Sequence, residues 1–211
     1  MSGCLDPFAR RKLCERLLVQ TLELATALVE PGWIRVVTAD LDAVTIANRF
    51  GAAWIADRGA GLNAALEDAR SALLPAMSDN EEMLILPIDL AFASADAFRD
   101  MLSRPEDVVI APDEIGTGTN LLLLRRGALR RFRFAYGRES YAAHVGGAAA
   151  RDLAIGTFRD RLLACDIDEP MQYAAWRLWQ HCGQGGALLK IGEEPPERAL
   201  VDGVFVERAK A

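Results

Sequence analysis

The sequence predicts an α/β domain built on a mixed, mainly parallel sheet with helices on both faces. Two observations predict it. Short apolar runs, such as Trp33–Thr38, Ala52–Ile55 and Met83–Leu86, alternate with segments that carry apolar residues at helical spacing. The apolar runs also end in polar or Gly-containing turns, as expected where strands feed crossover helices. A chain of 211 residues, 51% hydrophobic and 26% charged, is long enough to bury a substantial core.

Taken in order, Phe8 to Val29 carries Leu13, Leu17, Leu18, Thr21, Leu22, Leu24, Ala25 and Leu28 at helical spacing, and Pro31-Gly32 stops it. Trp33–Thr38 reads as a buried strand. Ala43 to Phe50 is a short helix closed by Gly51, and Ala52–Ile55 is the next strand. Gly61-Leu-Asn63 opens a helix to about Leu74. Met83–Leu86 is a strand ending at Pro87-Ile-Asp89, and Ser94 is placed to cap a helix to Leu102. Strands are expected at Val108–Ala111, Leu121–Leu124, Arg131–Phe134 and Leu162–Cys165, and helices at Ser140–Leu153 and Glu169–Cys182.

The tail differs in kind. Ala187–Ile191 and Ala199–Val206 read as short antiparallel strands, the latter turning at Asp202-Gly203. The chain thus divides into a main domain, residues 1–183, and a C-terminal β extension, residues 184–211, packed on it.

A net charge of −6 argues against nucleic acid as a partner, which calls for a basic face. No apolar run approaches a membrane span, and the N-terminus has no signal-peptide pattern, so a cytoplasmic protein is expected. Cys4, Cys14, Cys165 and Cys182 form no C-x-x-C pair and point to reduced thiols.

Three groups of residues are candidates for chemistry. The turn Ala111–Asn120 (Ala-Pro-Asp-Glu-Ile-Gly-Thr-Gly-Thr-Asn) between two strands puts amides and small hydroxyls at a sheet edge, where an anion can sit or where an ordinary loop can turn. Asp89, Asp166 and Asp168 fall at expected strand ends. Together they could hold Mg²⁺ or Mn²⁺ through oxygen ligands; singly, Asp168 could cap the helix at Glu169-Pro170 and Asp89 its own turn. Gly137 and Ser140 stand at a helix start that either binds a phosphate or is merely capped by Ser140. His144, one turn on, is a packed residue or a base. Arg125, Arg126, Arg130, Arg131 and Arg133 are mostly a solvated rim, with one or two able to reach a phosphate.

In order, Gly61-Leu-Asn63, Pro87-Ile-Asp-Leu90, Ala111-Pro-Asp113, Gly118-Thr-Asn120, Tyr136-Gly-Arg-Glu-Ser140 with His144, and Asp166-Ile-Asp168-Glu-Pro170 resemble the CofC/FbiD family. The resemblance runs from about residue 8 to residue 175. It implies a three-layer, Rossmann-like fold of the MobA-like nucleotidyltransferases, related to nucleotide-diphospho-sugar transferases. It also implies a guanylyltransferase of coenzyme F420 biosynthesis. Such an enzyme joins GMP from GTP to 2-phospho-L-lactate, phosphoenolpyruvate or 3-phosphoglycerate and releases pyrophosphate. By that resemblance Asp89, Asp166 and Asp168 hold Mg²⁺ (or Mn²⁺). Thr119, Asn120, Gly137 and Ser140 bind the acid substrate, and Gly61 and Asn63 lie near the guanine nucleotide. A homodimer is compatible with such a sheet.

Two departures from the family pattern stand out. Family members open with an apolar strand and a basic loop of the type Val-Pro-Val-Lys-x-x-x-x-x-Lys-x-Arg, whereas Met1–Pro7 here leads directly into the first helix. Either the start is truncated, or nucleotide binding is lost, or another segment fills the central strand position. The loss would make the chain a non-catalytic relative that binds the acid phosphate or a partner protein. For the third case the candidate is Ala187–Ile191, an apolar run that contains Lys190. The second departure is Ala91, where the family has Pro.

Overall fold

The computed structural model describes residues 6–78, 81–167, 170–182 and 203–209. Helix α1 (Pro7–Thr26) starts where Asp6 accepts the Ala9 N–H at 2.9 Å and Pro7 takes the first turn. It is followed by β1 (Ile34–Thr38), α2 (Leu41–Arg49), β2 (Ala53–Ala56), α3 (Leu62–Leu73), β3 (Glu81–Pro87) and α4 (Ala95–Ser103). Ser94 caps α4 through the Ala97 N–H, as the sequence predicts. The chain continues through β4 (Val108–Pro112), β5 (Thr119–Arg125), α5 (Arg126–Arg131), α6 (Ser140–Ala149), β6 (Ile155–Thr157) and α7 (Pro170–Cys182), and β7 is Gly203–Ala209.

The seven strands form one sheet in the order β2-β1-β7-β3-β5-β4-β6. The ladders β1–β2 and β4–β6 are parallel and the other four antiparallel, so β5 and β7 run against the common direction of the remaining strands. Alternate residues of the central strands face opposite sides. Leu84, Leu86, Leu121 and Leu123 pack under α1, α2, α4 and α7, around Leu22, Ala47, Phe98 and Trp176. Met83, Ile85, Leu122 and Leu124 pack under α3, α5 and α6, around Leu66, Leu129 and Ala148. This is the expected three-layer arrangement, and no helix among the described residues is long and apolar enough to cross a membrane.

The structure corrects the sequence reading at four places. Arg131–Phe134 is not a strand: α5 ends at Arg131, and Phe132 and Phe134 bury as a loop laid on the sheet face. Both edges of β5 are already paired, with β3 and β4, so no adjacent slot exists for that segment. Leu162–Cys165 is a turn, because Asp160 Oδ1 accepts the N–H groups of Leu162 and Leu163 at 2.8 and 3.0 Å. The edge strand is instead β6, whose Ile-Gly-Thr sequence has too little apolar pattern to announce itself. Arg125 is no rim residue either. It is buried, it is the register partner of Glu82, and its Nε lies 3.4 Å from that carboxylate.

The fourth correction concerns the tail. Both edges of β7 are occupied, by β1 (Ile34↔Val206 to Val37↔Gly203) and by β3 (Glu81↔Ala209 to Pro87↔Gly203). The expected run Ala199–Val206 is described only from Gly203 onward, so its turn at Asp202-Gly203 falls partly outside the described residues. The position between β1 and β3 is filled by Gly203–Ala209, antiparallel to both. The other candidate for it, Ala187–Ile191, lies outside the described residues.

Candidate active site

The candidate residues gather at the carboxyl end of the common strand direction, the end at which open α/β sheets bind ligands. Asp89 follows β3, Asp113 follows β4, Gly61 and Asn63 follow β2, and Thr119 and Asn120 start the reversed strand β5 at the same end. Gly61 has φ +90°, a conformation that favours glycine, and forms the N-cap of α3.

The Gly-Thr turn does not hold its amides open for a ligand. Asp113 Oδ1 accepts the Thr117 N–H and Oδ2 accepts the Gly118 N–H, both at 2.8 Å, and the Asp113 N–H donates to Gly118 O at 3.2 Å. The anion in this nest is the chain's own buried carboxylate. Stripping it away would leave two N–H groups without a partner, each costing about 1–3 kcal/mol where buried.

The start of α6 is also satisfied internally. The Ser140 N–H donates to Gly137 O at 3.2 Å and the Tyr141 N–H to Thr117 O at 3.0 Å, tying the helix to the Gly-Thr turn. Glu139, at φ +56°, occupies the cap position, so Ser140 is the first helical residue and not the cap. Its Oγ is fully buried and has no hydrogen-bond partner among the described residues. The expected amide cradles are thus used up within the protein, and side-chain hydroxyls remain. Gly137, exposed at φ +135°, lets the chain turn into α6.

His144 connects the two halves of this region. Its Nε2 accepts the Ala135 N–H at 2.8 Å and its Nδ1 lies 2.9 Å from Thr119 Oγ1. The rings of Phe132 and Tyr136 pack against it, with centroids 5.4 and 4.8 Å away. Burial pushes its pKa down to about 4, so the imidazole is neutral at pH 7. In the unfolded chain the group titrates near 6.5, so between about 6.5 and 4 only the unfolded chain gains the proton. The stability held above 6.5 is lost as pH falls through that window. Relative to His144→Gln, the wild-type chain should lose about 2 kcal/mol of stability between about pH 7.5 and 5, read by urea unfolding at each pH.

Asn63 spends its side chain on the protein. Its Nδ2 donates to Tyr136 O at 2.8 Å and its Oδ1 accepts the Tyr136 N–H at 2.7 Å, locking α3 to the segment before α6. Asn120 likewise donates from Nδ2 to Leu163 O at 2.9 Å, holding the 161–164 turn against β5. That turn delivers Ile167, whose N–H donates to Asp89 O at 3.0 Å. One backbone hydrogen bond therefore places the segment flanking Asp166 beside Asp89.

Asp166 is not at a strand end, because the preceding segment is a turn, and Asp168 lies outside the described residues. Among the described residues no group of three acidic, His or Cys side chains forms a metal-holding cluster. The acidic character of the corner is nonetheless evident in its neighbours. Burial and then the charge of Asp89 push the Tyr136 hydroxyl well above its ordinary range. Burial, Asp166 and Glu114 push the Cys165 thiol up to about 11. Cys165 is therefore a protonated thiol at pH 7, unsuited to act as a nucleophile.

The sequence reading passed over Asp113 as an anchor and Tyr136 as a bridge between Asn63 and His144. An Asp four and five residues before the amides of a Gly-Thr turn was a readable signal for the first. The second had no sequence signal, since residues 63 and 136 meet only in the folded chain.

Known proteins of one family are similar to this chain. Residues 1–178 match the family model described as guanylyl transferase CofC like. A phosphoenolpyruvate guanylyltransferase of Chloroflexus aggregans is 33% identical over 189 residues, 86% of this chain and 89% of that protein. One of Rubrobacter xylanophilus is 32% identical over 82% of this chain and 84% of its own length. A 2-phospho-L-lactate guanylyltransferase of Methanothrix thermoacetophila is 32% identical over 72% of this chain and 62% of its own.

Proposed function

Because this chain belongs to the family of CofC-like guanylyl transferases, we propose that it transfers GMP from GTP to a small phosphorylated acid and releases pyrophosphate. The acid is 2-phospho-L-lactate, phosphoenolpyruvate or 3-phosphoglycerate, and relatives named for the first two are both similar to this chain. The reading is carried by one observation: the family match covers residues 1–178, most of the chain.

In the reaction a phosphate oxygen of the acid attacks the α-phosphorus of GTP, a new P–O–P bond forms, and the bond to the leaving pyrophosphate breaks. No protein nucleophile is needed, in keeping with a protonated Cys165. The work of the chain is positioning and charge management. Thr119, Ser140 and Gly137 would receive the phosphate of the acid, with Asn120 keeping the neighbouring turn in place. Gly61 and the backbone locked by Asn63 would border the nucleotide.

Asp89 and Asp166, with Asp168, would supply carboxylate oxygens of the kind that suit Mg²⁺ or Mn²⁺. The hydrogen bond from Ile167 to Asp89 is the observation that favours this set. A cation held there would supply charge neutralisation to the transferring phosphate. A cytoplasmic location and a homodimer belong to the same reading. Nothing observed favours the non-catalytic alternative.

The test is direct. The full chain, GTP and Mg²⁺ are incubated with each acid in turn and pyrophosphate is followed. Release with one acid is the expected result. No release with any of the three, while an acid still binds, sinks the reading.

A further inference from the structure

Thr119 and Ser140 are two buried side chains whose hydrogen bonds within the protein leave something over. An amide N–H can only donate, so the Ala135 N–H requires a lone pair on His144 Nε2, 2.8 Å away. In the neutral ring the proton then sits on Nδ1, and the Nδ1–Thr119 Oγ1 contact of 2.9 Å is a donation from the imidazole to the hydroxyl. Thr119 Oγ1 is thereby an acceptor toward His144, and its own O–H is left to donate. It has no acceptor among the described residues. Ser140 precedes His144 by one helical turn on the same face of α6, and its Oγ is fully buried without a partner among the described residues. A buried hydroxyl without a partner is costly, and an acceptor oxygen of a ligand could satisfy it.

We propose that His144 is a positioning residue: through its Nδ1–H it fixes Thr119 as a hydrogen-bond donor, so that Thr119 and Ser140 present two neutral O–H groups to the phosphate of the acid substrate. The identity of that anion rests on the guanylyltransferase reading; the orientation of the hydroxyl does not. The packing of Phe132 and Tyr136 on the imidazole keeps it neutral and keeps the ring from turning. Other amides that might have served the anion are already engaged, those of Thr117 and Gly118 by Asp113 and those of Ser140 and Tyr141 by carbonyls. Hydroxyl donors are what this face of the site has left.

Imidazole ¹⁵N–¹H correlation spectra of the full chain near pH 7, with and without phosphoenolpyruvate or inorganic phosphate, test this directly. The expected spectrum is a neutral ring protonated at Nδ1, with an Nδ1 signal that moves on adding either anion, and does not move in Thr119→Val. A ring protonated at Nε2, or an Nδ1 signal that neither anion shifts, overturns the proposal even if the enzyme turns over normally. Kinetics supply the second arm. His144→Phe should raise KM for the acid about 10- to 100-fold, the range expected for losing one hydrogen bond to a charged group, with KM for GTP unchanged. His144→Gln, which keeps one acceptor and one donor on the same stem, should recover most of the loss. In a Thr119→Val background, His144→Phe should add little. Equal damage to both substrates, or full additivity of the two changes, would mean that His144 only packs. Absence of turnover in the wild-type chain would instead count against the guanylyltransferase reading, while the imidazole spectra would still decide the orientation of Thr119.

Discussion

Asp89→Asn is expected to lower the rate of pyrophosphate release about a thousandfold, since a cation at a transferring phosphate is worth several kcal/mol and each 1.36 kcal/mol is a factor of ten. The change is nearly isosteric and removes one negative charge from a corner where Asp89 also acts on the Tyr136 hydroxyl. The backbone carbonyl of residue 89, which accepts the Ile167 N–H, is untouched. The fold and the acceptor site should therefore persist. Binding of phosphoenolpyruvate, measured by calorimetry without GTP, should change less than about threefold, because Thr119 and Ser140 are unaltered. Titrating Mg²⁺ separates the cation from other roles of the carboxylate: the variant should need far more of it for half-maximal rate. A variant with an unchanged Mg²⁺ requirement and near wild-type rate would remove Asp89 from the metal set.

Val206→Pro should cost about 3 kcal/mol or more of stability. Val206 is paired with Ile34 of β1 on one side and Leu84 of β3 on the other, so its N–H lies in a ladder whichever way it points. Proline deletes that donor and its ring disturbs the adjoining bond, which is why it is confined to sheet edges. Val206→Ile keeps the N–H and a branched, apolar side chain and should lose far less stability than the proline variant. If both variants unfold together, β7 is not a central strand. The prediction matters for function as well as for stability. β1 and β3 carry the segments that lead to the ligand end, and β7 is the only described strand that joins them.

The helices and most strands were legible because their signals are local. α4 could be placed from Ser94 and the apolar spacing behind it, and the buried strands β3, β4 and β5 from unbroken aliphatic runs. Phe132 and Phe134 misled for a related reason. Alternating burial marks any extended segment laid on a core, whether or not its backbone joins a ladder. Ladder membership depends on a free edge, and that is decided by other strands. The turn at Leu162–Cys165 misled because Asp160, just upstream of the apolar run, captured its amides.

At the site, residue types and order were enough to name candidate acidic and hydroxyl groups, along with the family they resemble. They could not show how the donors are shared out. The Gly-Thr turn reads in sequence as an anion cradle or an ordinary loop; Asp113 fills it, which leaves the hydroxyls of Thr119 and Ser140 as the groups proposed to face an anion. His144 reads as a packed residue or a base; folding makes it a neutral link between Ala135 and Thr119.

By itself, then, the sequence determined the class of fold, the family and the kinds of group available, because composition, periodicity and turn chemistry act over a few residues. Only the tertiary structure decided which strand lies between β1 and β3 and which donors are left for a ligand. Both are questions of pairing between distant segments, settled when each buried polar group finds its partner and each strand edge its neighbour.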